Sequence, residues 1–240
     1  MAMFGKKKDE PVVQPVPWTG GHWFMVGDVA RPAAFRRKAL TGPRAVRMPD
    51  TQEGVRYYAP VALVTQVPGA DEESASYELY DATEPDALLC ALSPEKGGAR
   101  YRVTDAQGEE LGLLRRTPAP KRTIQHGWWL QQPGRPDIVA RYHWAKGSAK
   151  DIATRGKETA VRGAGALVEG VVDSVLSFGA EGGDQASPSR THKPVTWRAE
   201  GEEETVVLTS GHVEGVRTYV PVASWLDHRL AFALAVLREA

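Results

Sequence analysis

Ser224-Trp225-Leu226-Asp227-His228-Arg229-Leu230-Ala231-Phe232-Ala233-Leu234-Ala235-Val236-Leu237-Arg238-Glu239-Ala240 is the stretch that decides the fold. From Leu230 to Leu237 no side chain is polar. A surface helix carries one apolar stripe, whereas a helix that is apolar all round is buried. The run is also far short of the ~20 residues needed to cross a bilayer. Ser224 with Asp227 three residues on resembles a capping box, so the central helix is expected over 224–239. Almost everything upstream reads as strand and turn. A β-rich chain ending in a fully buried helix needs a sheet that wraps around it, which predicts a barrel with the helix inside.

Working backwards from that helix, a final strand is expected over Val216 to Val222. A short hairpin precedes it, Val195 to Arg198 turning at Glu200-Gly201 and returning over Thr205 to Thr209. Thr123 to Gln131 and Ile138 to Trp144 form another hairpin around Pro133-Gly134-Arg135-Pro136. Trp128 and Trp129 alternate across its first strand, one toward the core and one outward. Further upstream, Tyr77-Glu78-Leu79-Tyr80-Asp81-Ala82 and Tyr101-Arg102-Val103-Thr104-Asp105-Ala106 repeat without gaps at a period of 24 residues. Each leads through an Asp-led turn to a second apolar segment, Ala87 to Leu92 or Leu111 to Leu114. Two such hairpins in series are an up-and-down meander. Gly108 supplies the positive φ that the second turn needs. Tyr57 to Gln66 is a strand interrupted by Pro60, which suits an edge or a bulge. His22 to Val26 is the first strand. A short helix is expected around Ala33 to Leu40, and residues 1–20, with three lysines and three prolines, read as a mobile tail.

One region breaks the rhythm. Between Gly147 and Gly179 the period becomes helical, with Ala164, Leu167, Val168, Val171, Val175 and Phe178 on one side. Arg155, Glu158, Arg162, Glu169 and Asp173 share another, and Gly156, Gly163 and Gly170 recur every seven residues. A long amphipathic helix over 149–178 is therefore expected as an insertion, with 180–194 a flexible return loop. Its face is a candidate for a protein partner or self-association, because large exposed apolar patches mark interaction sites. The mixed charges opposite favour a protein contact over membrane insertion, since membrane-surface helices are rich in Lys and Arg.

Composition narrows the function. Thirty acidic and thirty basic residues argue against bulk nucleic-acid binding. The one cysteine, Cys90, sits in an apolar run and reads as a buried small hydrophobe, so no disulfide within the chain is possible and a reducing, cytoplasmic compartment is expected. Lys6-Lys7-Lys8 is not followed by the apolar run of a signal peptide. Asparagine is absent and arginine outnumbers lysine two to one, a bias that fits a GC-rich bacterial genome.

Six histidines, including His126 and His143 on one hairpin, show no metal-ligand spacing, so neither metal nor cofactor is expected. There is no Gly-x-Ser-x-Gly elbow, P-loop or dinucleotide fingerprint, and Glu202-Glu203-Glu204 reads as a solvated turn. The cluster Arg115, Arg116, Lys121 and Arg122 lies in a proline-containing connection. It is the candidate lipid- or anion-binding site, each cation near a charged membrane contributing about 1 kcal/mol.

The paired Tyr-x-Leu/Val-x-Asp-Ala hairpins and the closing apolar helix resemble the tubby C-terminal-like superfamily. The branch with LURP-one-related proteins and phospholipid scramblases is the nearest. The most typical piece is Tyr101-Arg102-Val103-Thr104-Asp105-Ala106-Gln107-Gly108-Glu109-Glu110-Leu111-Gly112, a strand, an Asp-x-x-Gly turn and a returning strand. The resemblance covers residues 55–146 and 195–240 and implies a mainly β protein, a roughly twelve-stranded antiparallel barrel around the C-terminal helix. Residues 21–240 would then be a single domain. No acidic cluster precedes the last helix, so the calcium-binding segment of scramblases has no counterpart here. Tubby proteins bind phosphoinositides through a basic pocket, to which no position of this chain is matched. The expectation is a non-enzymatic module that engages a protein partner or an anionic lipid surface, with peripheral membrane contact as one of its modes. An adaptor without a lipid role is the alternative, and an unrecognised enzyme a more remote one.

Overall fold

A computed structural model of the chain describes residues 11–35, 37–68, 75–95, 99–117, 127–142, 194–201, 205–213 and 215–240. Twelve strands close into one barrel: β1 (Phe24–Arg31), β2 (Leu40–Gln52), β3 (Val55–Val67), β4 (Ser76–Asp81), β5 (Leu88–Pro94), β6 (Arg100–Thr104), β7 (Glu110–Arg116), β8 (Trp128–Gln131), β9 (Ile138–Tyr142), β10 (Val195–Ala199), β11 (Thr205–Val213) and β12 (Val216–Pro221). Every strand pairs antiparallel with its neighbour in sequence, and β12 returns to β1 through Phe24↔Tyr219 and Met25↔Thr218. Closure removes the exposed edges that an open sheet of this size would present.

The two repeated hairpins are β4–β5 and β6–β7, registered by Tyr77↔Leu92 and Leu79↔Cys90 in one and Tyr101↔Leu114 and Val103↔Gly112 in the other. Their alternation sends Leu79, Leu92, Val103 and Leu114 into the lumen, all fully buried. Gly108 turns the second hairpin at φ 82°. Asp105 Oδ1 accepts from the backbone N–H groups of Gln107 and Glu109. Pro60 sits in β3 opposite Arg47, beside a bulge in which β3 carries the extra residue, Val61.

The lumen is filled by α1 (His228–Arg238). Residues Leu230 to Val236 are completely buried, alanines and large side chains alike. Burying Leu230, Phe232, Leu234, Val236 and Leu237 contributes on the order of 10 kcal/mol at 1.5–3 kcal/mol each. Phe232 meets the ring of Phe24 edge-on at 4.7 Å, and Phe24 stacks on Tyr219 at 5.4 Å. The helix begins later than the capping-box spacing predicts. Asp227, rather than Ser224, is the N-cap, its carboxylate accepting from Arg229 N at 2.8 Å. The side chain of Gln132 fixes the approach, donating to Trp225 O and accepting from Asp227 N. At the far end Arg217 and Tyr219 donate to the Glu239 carboxylate, and Arg44 to its carbonyl oxygen. These cations face the negative end of the helix dipole.

Two sequence expectations are corrected. No helix forms around Ala33 to Leu40. The chain instead makes a tight turn with reciprocal backbone hydrogen bonds between Ala34 and Arg37, and then enters β2. Register shifts between Gly27 and Arg31 bend this hairpin back over the barrel, bringing β1 against β3 and the Arg31 guanidinium over the Tyr57 ring. Residues 11–18, expected within a mobile tail, pack on the barrel. Val16 N donates to Pro60 O, the Gln52 amide holds both backbone groups of Gln14, and Trp18 meets Phe232 edge-on at 6.5 Å.

Among the described residues α1 is the one helix. The inserted helix expected over 149–178 and the loop over 180–194 fall almost wholly on 143–193, outside the described residues, as do residues 1–10. The architecture that stands is a closed twelve-stranded antiparallel barrel with a C-terminal helix inside it.

Candidate functional site

The packed helix decides where a ligand can meet this barrel. Barrels of comparable strand number use their lumen to hold ligands when it is left open. Here the helix occupies it, so among the described residues a ligand could be met only at the outer wall and the two rims.

On the outer wall the register of β6, β7 and β8 brings Arg100, Arg115 and Trp129 into one cross-strand row. The Arg115 guanidinium lies 4.4 Å over the Trp129 ring. One step on, Arg116 is opposite Trp128 and stands 5.8 Å over its ring. Trp128 belongs to the core and Trp129 is half-buried, so the two tryptophans divide between inside and outside as their alternation requires. Both arginines are exposed. Stacking on an indole contributes about 0.5–1 kcal/mol at an exposed site. It also fixes the guanidinium plane while leaving the edge N–H donors free for a phosphate or carboxylate.

The neighbouring cations are already engaged. Glu95 accepts from Arg102 at 3.0 Å and lies 3.6 Å from Arg100, and Arg102 also reaches Glu110 at 3.5 Å. Among the described residues neither Arg115 nor Arg116 has a carboxylate within 4.0 Å. Arg100, directly across from Arg115, adds a cation to the same row, already balanced by Glu95.

Lys121 and Arg122 belong to the β7–β8 connection, whose ends are pinned by Thr117 N donating to Gly127 O at 3.0 Å. Both residues lie outside the described residues, as do Leu167, Val168, Val171, Val175 and Phe178. The structure therefore joins Arg115 and Arg116 with two partners that the sequence did not assign to the cluster, Trp129 and Arg100. The signal for them was the hairpin register, which sequence spacing leaves open by one or two residues.

Cys90 is fully buried, and desolvation pushes its thiol up to about 12, so it is inert packing. Among the described residues no group of three or more His, Cys, Asp or Glu could hold a metal ion, and His126 and His143 are outside that set. Burial also raises the Tyr219 phenol, which is spent on Glu239 at the end of the helix. Arg47 is buried with its guanidinium donating to the carbonyls of Gly27, Pro43 and Tyr58. Desolvation lowers its pKa against the opposing charge of Asp28. It clamps the bent hairpin to the barrel wall and presents nothing to solvent. No helix among the described residues is long and apolar enough to cross a membrane. No family profile, curated protein or solved structure matches this chain.

Proposed function

We propose that this chain is a non-enzymatic binding module of the tubby-like type that engages an anionic lipid surface through the rim at the end of β7. The observation that carries the reading is the pair of exposed arginines, each set over a tryptophan ring, on a barrel whose lumen is filled. The twelve-stranded closure around a C-terminal helix is the architecture that the tubby-like resemblance implies, and it supports the assignment. Arg115 and Arg116 make the described part of the site, with Lys121 and Arg122 in the connection that follows. Arginine edges and a half-buried indole suit the headgroup region, where one side of the contact is charged and the other apolar. Two cations at about 1 kcal/mol each give weak, reversible attachment that ionic strength governs.

The test is co-sedimentation of the full chain with vesicles. Mixed phosphatidylserine–phosphatidylcholine vesicles should capture it at low salt and release it at high salt, and pure phosphatidylcholine vesicles should not capture it. Equal capture by both lipids, or none by the anionic vesicles, would overturn the proposal. In the second case a protein partner becomes the reading to pursue.

A further inference from the structure

The chain has no net charge, yet the topology does not spread its charges evenly. Because strand direction alternates around a closed barrel, the β2–β3, β4–β5, β6–β7, β8–β9 and β10–β11 turns and the β12–α1 connection gather at one end. The β4–β5 and β6–β7 turns contribute Glu84, Asp86, Asp105 and Glu109 to that end. Glu53, Asp137, Glu200 and Asp227 come from the others, against Arg135 in the β8–β9 turn and three arginines at the adjoining element ends, Arg56, Arg198 and Arg229, the last of them paired with Asp227. Three of these acids have local duties: Asp105 in its turn, Asp227 as the helix cap, and Asp137 as acceptor from Gln131.

At the opposite end β7 finishes with Arg115 and Arg116, β6 begins with Arg100, and Arg217 and Arg238 surround the end of α1. Glu95 and Glu239 are the described acids there. Asp71-Glu72-Glu73 in the β3–β4 connection lies outside the described residues.

We infer that the barrel is polarised along its axis and docks end-on, with the rim at the end of β7 against the anionic surface and the acidic turns pointing away. This rests on the reading of Arg115 and Arg116 given above and adds the orientation. The two ends are separated by the length of α1, about 16 Å at 1.5 Å per residue. That is about two Debye lengths at physiological salt. The acidic end is therefore screened from the surface when the basic end is down, and is repelled by it in the inverted pose. A neutral protein can in this way bind an anionic surface with one orientation and no compensating excess of base.

The test uses single labels. Cys90 is buried, so Ser93→Cys near the basic end and Gln107→Cys in the acidic β6–β7 turn can each carry one fluorophore. Vesicles of phosphatidylserine and phosphatidylcholine are doped with a nitroxide-headgroup quencher. End-on docking predicts quenching of the Ser93→Cys label on binding and an unquenched Gln107→Cys label. It also predicts that Glu84→Lys/Asp86→Lys changes affinity by no more than about twofold at physiological salt, because those positions lie about two Debye lengths from the surface. Equal quenching at both positions, or a large gain in affinity for the Lys variant, would overturn the orientation while leaving the lipid reading intact. Failure of the parent chain to bind these vesicles would overturn both.

Discussion

The ring of Phe232, at the middle of α1, meets the ring of Phe24 edge-on at 4.7 Å with the planes 80° apart. Phe24 lies on β1 beside its closure with β12, so this contact ties the filling of the barrel to the seam that shuts it. Phe232→Ala should cost about 3–5 kcal/mol, the range for a large buried aromatic replaced by alanine. Chemical denaturation of parent and variant measures it. Truncation after Ala223 removes the whole filling and should yield insoluble protein. A soluble, cooperatively folded truncation would refute the packing scheme.

Gly112 on β7 lies close against the helix and the neighbouring strand. A Cβ there would run into the Gln131 carbonyl oxygen and come within 2.9 Å of Leu230 Cδ2. Neither the backbone of β8 nor a side chain packed on all sides can move away freely. Gly112→Ala should therefore destabilise by about 1–3 kcal/mol, the cost of overpacking a core. An alanine that raises the melting temperature would contradict the contact.

Asp227 makes the start of α1 sensitive to acid. Burial pushes its carboxyl up, but hydrogen bonds from the Arg229 side chain and backbone, together with that guanidinium's charge, outweigh burial and hold it below its ordinary value. A depressed native pKa contributes stability above about pH 4 that is lost as the pH falls through the native value. Asp227→Ala should cost about 1 kcal/mol at neutral pH, as for a lost N-cap. The difference between parent and variant should shrink steadily below pH 4. Urea melts across that range check both, and a gap that stays constant would count against this origin.

Much of the fold was legible because its strongest determinants are local. An all-apolar run from Leu230 to Leu237 can only be interior, and the repeat of Tyr77-x-Leu79-x-Asp81 at Tyr101-x-Val103-x-Asp105 writes out two hairpins. What was missed depends on contacts distant in sequence. The segment 33–40 reads as helical because the register shifts of the β1–β2 hairpin leave no mark on alternation. Arg47 reads as a surface cation until three carbonyls from three positions converge on it. Trp18 reads as part of a tail because its partner, Phe232, lies at the other end of the chain. The sequence leaves the helix start open by a few residues because Ser224 and Asp227 are both good caps, and the Gln132 amide oxygen, which accepts from Asp227 N, helps to fix the later one. At the site, Arg115 and Arg116 stood out by charge alone. Their tryptophan platforms and the cross-strand Arg100 needed the register.

The central claim is that the stacked arginines at the end of β7 hold the barrel on an anionic surface. Its most direct test is the affinity of Arg115→Ala/Arg116→Ala for mixed phosphatidylserine–phosphatidylcholine vesicles at low salt, beside the parent and with a thermal melt to confirm folding. Losing two cations at about 1 kcal/mol each predicts binding weakened about thirtyfold with an unchanged melt. A folded double variant that binds these vesicles as tightly as the parent would contradict the account.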